Sequence, residues 1–209
     1  MNWNSSALLI IDMQNDFAKT SGSAYIEGTA GVTKNLAGMA NYFRARKRPV
    51  IHIIRLYLED GSNAELCRKS VIREGTKMVV PGTDGARIVS ELLPTDARAY
   101  ADEDLLAGKI ISIGEQDFVV YKPRWGAFYR TELDAWLRNA GIDSLVIAGC
   151  NFPNCPRTTL FEASERDYHL AIVPETISKI YTKGVEELQA IGVNVLDMDG
   201  VKSALDKIG

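Results

Sequence analysis

Six short apolar runs set the limits on how this chain can fold. They are Ala7–Ile11 (ALLII), Val50–Leu56 (VIHIIRL), Asp117–Tyr121 (DFVVY), Leu145–Ala148 (LVIA), His169–Val173 (HLAIV) and Val193–Met198 (VNVLDM). Each is nearly continuous rather than alternating, the pattern of strands covered on both faces, as in parallel sheets. Between them lie stretches with helical spacing. Glu27–Lys47 places Leu36, Met39, Ala40 and Phe43 on one face, and further helices are expected over Gly85–Leu92, Glu132–Asn139, Arg157–Arg166, Ser178–Ile191 and Val201–Ile208. A short helix is expected over Ala64–Lys69, a surface connection over Thr95–Lys109 and an edge element over Ile110–Ile113, while Pro174 is read as the end of its strand. Strand and helix in alternation predict an α/β fold, a parallel sheet with helices on both faces and right-handed crossovers.

With 209 residues, 46% of them hydrophobic, and no repeat or linker, the simplest account is one domain over residues 1–209. The net charge of −3, with both signs interspersed, gives no basic stripe for nucleic acid. Arg44, Arg46, Lys47 and Arg48 read as the solvated end of a helix. Three cysteines, an odd and small number, argue for a reducing compartment rather than a disulfide framework. The polar start MNWNSS does not read as a secretory leader, and no apolar run is long enough for a bilayer. A cytoplasmic protein without membrane or nucleic-acid partners is expected.

Chemistry-bearing residues stand at the carboxyl ends of three of these runs, where open α/β sheets hold their ligands. Asp12 follows ALLII, Lys122 follows DFVVY, and Cys155 follows LVIA after a tight connector. Taken singly, Asp12 also reads as a turn or cap aspartate, and Cys155 as a small packed hydrophobe. Pro156 is suited to a helix start, so Cys155 is placed at a helix N-terminus, where the dipole favours a thiolate and free amides can hold an oxyanion. Together the three make a coherent set: a nucleophilic sulfur, a carboxylate to move its proton and an ammonium to balance charge. His52, inside its apolar run, reads as a packed core histidine, and Cys67 as a bystander. Phe17, Arg55, Tyr57, Trp125 and Phe128 fall on segments near the crevice. Arg55 suits a bidentate grip on a carboxylate and Trp125 stacking on a planar or cationic group.

The segments ALLIIDMQNDF, KPRWGAFYRTEL and LVIAGCNFPNCPRTTLFEA resemble, in order and over nearly the whole chain, the three signatures of isochorismatase-like cysteine hydrolases. That family includes nicotinamidases, N-carbamoylsarcosine amidases and ureidoacrylate amidohydrolases. The resemblance implies a three-layer α/β/α, Rossmann-like fold on a six-stranded, mostly parallel sheet. It implies Asp12 as general base, Lys122 as charge partner and Cys155 as nucleophile, with no cofactor. It also implies a cis bond between Cys150 and Asn151, with the backbone N–H groups of Asn151 and Cys155 as oxyanion hole. Arg55 and Tyr57 stand where nicotinamidases carry metal ligands, so no metal is expected. Gly126 and Phe152 replace a usual serine and threonine and, with Pro153, are expected to reshape the pocket wall. The activity implied is cleavage of an amide, ureido or carbamoyl C–N bond of a small molecule through a thioester, in a homodimer or homotetramer. The alternatives are a vinyl-ether hydrolase using Asp12 without covalent catalysis, and a binding protein without catalysis.

Overall fold

A computed structural model describes residues 1–207. In chain order its elements are β1 (Ser6–Ile11), α1 (Asn15–Ala18), α2 (Thr29–Ala45), β2 (Val50–Ile54), α3 (Leu66–Arg73), α4 (Asp102–Leu106), β3 (Ile111–Ser112), β4 (Asp117–Tyr121), α5 (Leu133–Asn139), β5 (Ser144–Gly149), α6 (Cys155–Ser164), β6 (His169–Ile177), α7 (Thr182–Ala190), β7 (Asn194–Val195) and α8 (Met198–Asp206). The strands form one sheet in the order β3-β4-β2-β1-β5-β6-β7, parallel except for the two-residue edge strand β3. The sheet therefore has seven strands rather than six; the extra one is the edge element expected near Ile110–Ile113. The apolar runs explain the centre of the sheet: every residue of β1, β2 and β5 is buried.

From β1 the chain steps to β2 and then β4 on one side, then returns past β1 to build β5, β6 and β7 on the other. The right-handed rule puts α2 on one face and α5, α6 and α7 on the opposite one. α8 packs against α2. The carboxyl ends of β1 and β5 flank the point where the order reverses, the topological switch point at which such sheets open a crevice.

Several boundaries differ from the sequence expectation, each for a tertiary reason. Gly85–Leu92 is not a helix but two 3-10 turns, Asp84–Ala86 and Ser90–Leu92. Between them the backbone is extended, because Ile88 bridges Gln14 and Val89 N–H bonds to Met13 O at 3.0 Å. The Thr95–Lys109 connection contains α4, anchored by buried Leu105 and by buried Asp102, which pairs with Arg87 at 2.7 Å. β6 runs on through Pro174 to Ile177. The proline is tolerated because β7 pairs only with Ala171 and Ile172, and the β5 ladder skips from Ile172 to Ile177. α3 begins later than expected, and α7 is shorter than Ser178–Ile191. Ile208, the expected end of the last helix, lies outside the described residues.

The basic end of α2 is not wholly solvated. Arg44 turns inward and grips buried Asp117 with two hydrogen bonds, of 2.9 and 2.7 Å. Asp117 also meets His52 Nε2 at 3.0 Å. His52 is thus a core residue, as expected, with a buried carboxylate as its partner.

Candidate active site

Strand register brings the functional side chains to one rim. Ile11 pairs with Ile53 on one side and Gly149 on the other, and Ile54 pairs with Tyr121. Asp12, Arg55, Lys122 and Cys150 therefore each stand just past the same edge. Single backbone bonds extend the ladders there: Asp12 N–H to Ile53 O (2.8 Å), Lys122 N–H to Ile54 O (3.0 Å) and Cys150 N–H to Ile11 O (2.8 Å). The last of these needs Gly149. At φ +110° a Cβ there would lie 2.2 Å from Ile11 O, so only glycine lets β5 turn this close over β1. Asp12 itself has φ +51°, a left-handed turn that aspartate tolerates better than most residues.

Lys122 reaches past the end of β2 to Asp12, with Nζ 2.9 Å from Oδ2. The same Nζ lies 3.4 Å from Cys155 Sγ and 3.3 Å from Arg124 O, which occupies all three of its N–H donors. The second oxygen, Asp12 Oδ1, is buried without a hydrogen-bond partner among the described residues. The three residues predicted from strand ends meet at the floor of one small cavity.

The state of the sulfur differs from expectation. Burial pushes the Cys155 thiol pKa up, and the charge of Asp12 pushes it further, against the opposing effect of Lys122. The upward causes prevail, which favours the thiol over a standing thiolate. For Lys122, burial favours the neutral amine, but Asp12 and then Cys155 overcome this and the net shift is upward.

Cys155 opens α6, with Pro156 in second place rather than first. Thr159 fixes that turn: its Oγ1 donates to Cys155 O at 2.8 Å and accepts from Ala127 N–H at 3.2 Å, tying α6 to the loop after Lys122. The Cys150–Asn151 peptide is cis. The N–H groups of Asn151 and Cys155 have no acceptor among the described residues.

Of the other predicted pocket residues, Phe17, Arg55, Tyr57 and Trp125 line the cavity. Phe128 does not; it is buried against Tyr168 with ring centroids 5.7 Å apart, because its loop folds back toward α6, where Phe128 N–H bonds to Glu162 Oε2. Arg55 is present but committed. Its Nε donates to Glu65 (3.1 Å), Nη1 to Leu56 O (2.8 Å) and Tyr121 OH (3.0 Å), and Nη2 to Asn63 O (2.8 Å). With four of five donors used, the bidentate carboxylate fork expected of Arg55 is not on offer. Tyr57 stacks under the guanidinium at 4.1 Å and donates its hydroxyl to Glu65 at 2.7 Å. Phe152 does not shape the pocket wall; it is fully buried, edge-on to Tyr181, and packed against Gly184.

This wall is a poor fit for a divalent cation. A guanidinium occupies its centre, and both oxygens of Glu65 are already bound. Sequence reasoning missed Glu65 and Arg68, which come from the polar segment over residues 59–74 and line the cavity with Ile26 and Asn154. It also missed Gln14, a buried amide that accepts from Arg55 N–H and donates to Arg55 O and Ala86 O. Its only signal was a polar residue two places after a buried-strand aspartate.

The fold and this rim define an open α/β protein with a carboxylate, an ammonium and a thiol at its switch-point crevice. The Isochorismatase domain matches residues 6–102 and 110–199, and the chain belongs to that family, whose members include hydrolases of non-peptide C–N bonds. It is 30% identical over 197 residues to a probable inactive nicotinamidase of Arabidopsis thaliana, covering 91% of each chain. It is 30% identical over 172 residues to a ureidoacrylate amidohydrolase of Pantoea ananatis, covering 78% of this chain and 65% of that one. The crystal structure of an isochorismatase family protein from Desulfovibrio vulgaris superposes with a TM-score of 0.81 at 32% identity, covering 97% of this chain and 99% of the other.

Proposed function

We propose that this protein is a cysteine hydrolase that cleaves an amide, ureido or carbamoyl C–N bond of a small molecule through a thioester. The supporting observation is the convergence at one cavity floor of Asp12, Lys122 and Cys155, with Nζ 2.9 Å from the carboxylate and 3.4 Å from the sulfur. In this mechanism Sγ attacks the carbonyl carbon as the thiol proton passes to Asp12, whose free Oδ1 is available to receive it. The carbonyl oxygen becomes an oxyanion held by the N–H groups of Asn151 and Cys155. Collapse of the adduct breaks the C–N bond, and Asp12 returns the proton to the departing nitrogen. Water then attacks the thioester, Asp12 takes its proton, the C–S bond breaks and the sulfur is reprotonated. The products are an amine or ammonia and an acid. Lys122, 2.9 Å from Oδ2, keeps Asp12 oriented through these proton transfers.

The resting thiol favours this coupled path, since the proton leaves sulfur only as the carbon–sulfur bond forms. A panel of amides, ureides and carbamoyl compounds, read by product formation and by mass spectrometry of the intact protein, tests the reading. An acyl mass on Cys155 with a turned-over compound, and its loss in Cys155→Ala, is expected. Turnover retained in Cys155→Ala but lost in Asp12→Asn would instead select non-covalent vinyl-ether chemistry. Binding of panel compounds without any turnover would select a protein that has kept the pocket and not the reaction.

A further inference from the structure

We propose that Arg68 is the anion-recognising residue of this pocket, and that the substrate is a small amide or ureide bearing a carboxylate; this rests on the hydrolase reading above. The charges around the cavity carry the argument. Asp12 is matched by Lys122 at 2.9 Å and Glu65 by Arg55 at 3.1 Å. Arg68 lines the same cavity and has no such partner among the described residues. The acid one turn before it, Glu65, has spent both oxygens on Arg55 and Tyr57. The polar contact of the Arg68 side chain among the described residues is Met78 Sδ at 3.9 Å, a weak acceptor. One guanidinium is thus left over in a half-enclosed cavity whose other charges are paired. A planar fork of N–H donors fits a carboxylate better than any other small anion-bearing group common in amides and ureides. Arg55, the residue the sequence offers for this task, has four of its five donors engaged and no free fork, so the task falls to the arginine of α3. Trp125 supplies a flat apolar wall for the rest of a small ligand.

The test compares two alkylating probes of similar size, iodoacetate and iodoacetamide, at Cys155. Both need the same deprotonated sulfur, so their rate ratio cancels the thiol pKa and reports pocket preference for the anion. Rates are followed by peptide mapping at fixed pH and low salt, with N-acetylcysteine amide as reference thiol. The expected result is an iodoacetate-to-iodoacetamide ratio at Cys155 above that of the reference, falling about tenfold in Arg68→Gln, as loss of one charge-assisted contact implies. Arg68→Lys should keep part of the preference. A ratio no higher than the reference, or one unchanged in Arg68→Gln, overturns the proposal. Arg68 is half-exposed on a short helix, so unchanged melting of the variant separates this outcome from misfolding. Labelling requires no turnover. A protein that prefers the anion through Arg68 but hydrolyses nothing loses the hydrolase reading and keeps this site. A protein that hydrolyses neutral amides without anion preference does the reverse.

Discussion

Burial and the negative charge of Asp12 together favour the thiol form of Cys155 despite the ammonium 3.4 Å away. Alkylation by iodoacetamide should therefore rise with pH through and beyond 9, without an inflection near neutrality. A plateau reached by about pH 7, below the ordinary thiol pKa, would mean a preformed thiolate. Asp12→Asn removes the proton acceptor and leaves buried Lys122 without its counter-charge. The expected loss of turnover is about 10²–10⁴-fold for the acid–base role. Breaking the buried pair should cost about 3–5 kcal/mol of stability, read as a lower midpoint in urea. Cys150 offers a contrast within the same connector: burial pushes its thiol up to about 12, and it should resist alkylation in the native protein.

At the scale of elements, the site depends on how closely β5 turns over β1. Gly149→Ala forces a Cβ against Ile11 O in a left-handed conformation and should cost about 3 kcal/mol, with loss of whatever activity the Cys150–Cys155 connector supports. Behind that connector, Phe152 and Gly184 are complementary: a Cβ at 184 would stand 2.4 Å from the ring. Gly184→Ala should destabilise by about 1–3 kcal/mol, and adding Phe152→Leu should recover part of the loss, a non-additivity that a double-mutant cycle measures. The sequence marked Phe152 as unusual. It did not show that the side chain turns away from the cavity, because a five-residue connector leaves its facing open until α7 packs behind it.

For the whole molecule, acid is the expected weakness. Burial lowers the His52 pKa, so the unfolded chain binds a proton there that the fold refuses. Asp117 and Glu65, although burial raises them, end below the usual carboxylate range through hydrogen bonds and nearby arginines. In each case stability is fully present above the unfolded pKa and is lost as pH falls. Melting temperature should decline first below about 6.5 through His52 and more steeply below about 4 through the carboxylates. The first step should vanish in a His52 variant that still folds, such as His52→Gln.

The apolar runs alone were enough to set the alternation, the parallel sheet and the rim on which Asp12, Lys122 and Cys155 stand. Burial on both faces leaves a strand no other pattern, and a residue just past such a strand has few places to go. What those runs could not express was pairing at a distance. Whether Pro174 ended a strand depended on where β7 stopped, and whether residues 85–92 coiled depended on Gln14 offering a bridge. The charge balance of the pocket was likewise decided in three dimensions: Glu65 and Tyr57 claimed Arg55, and so left Arg68 facing the cavity without a carboxylate among the described residues. Local pattern determines which backbone a segment adopts. Which polar partners meet is set by the packing of segments far apart in the chain, and no spacing along the sequence records it.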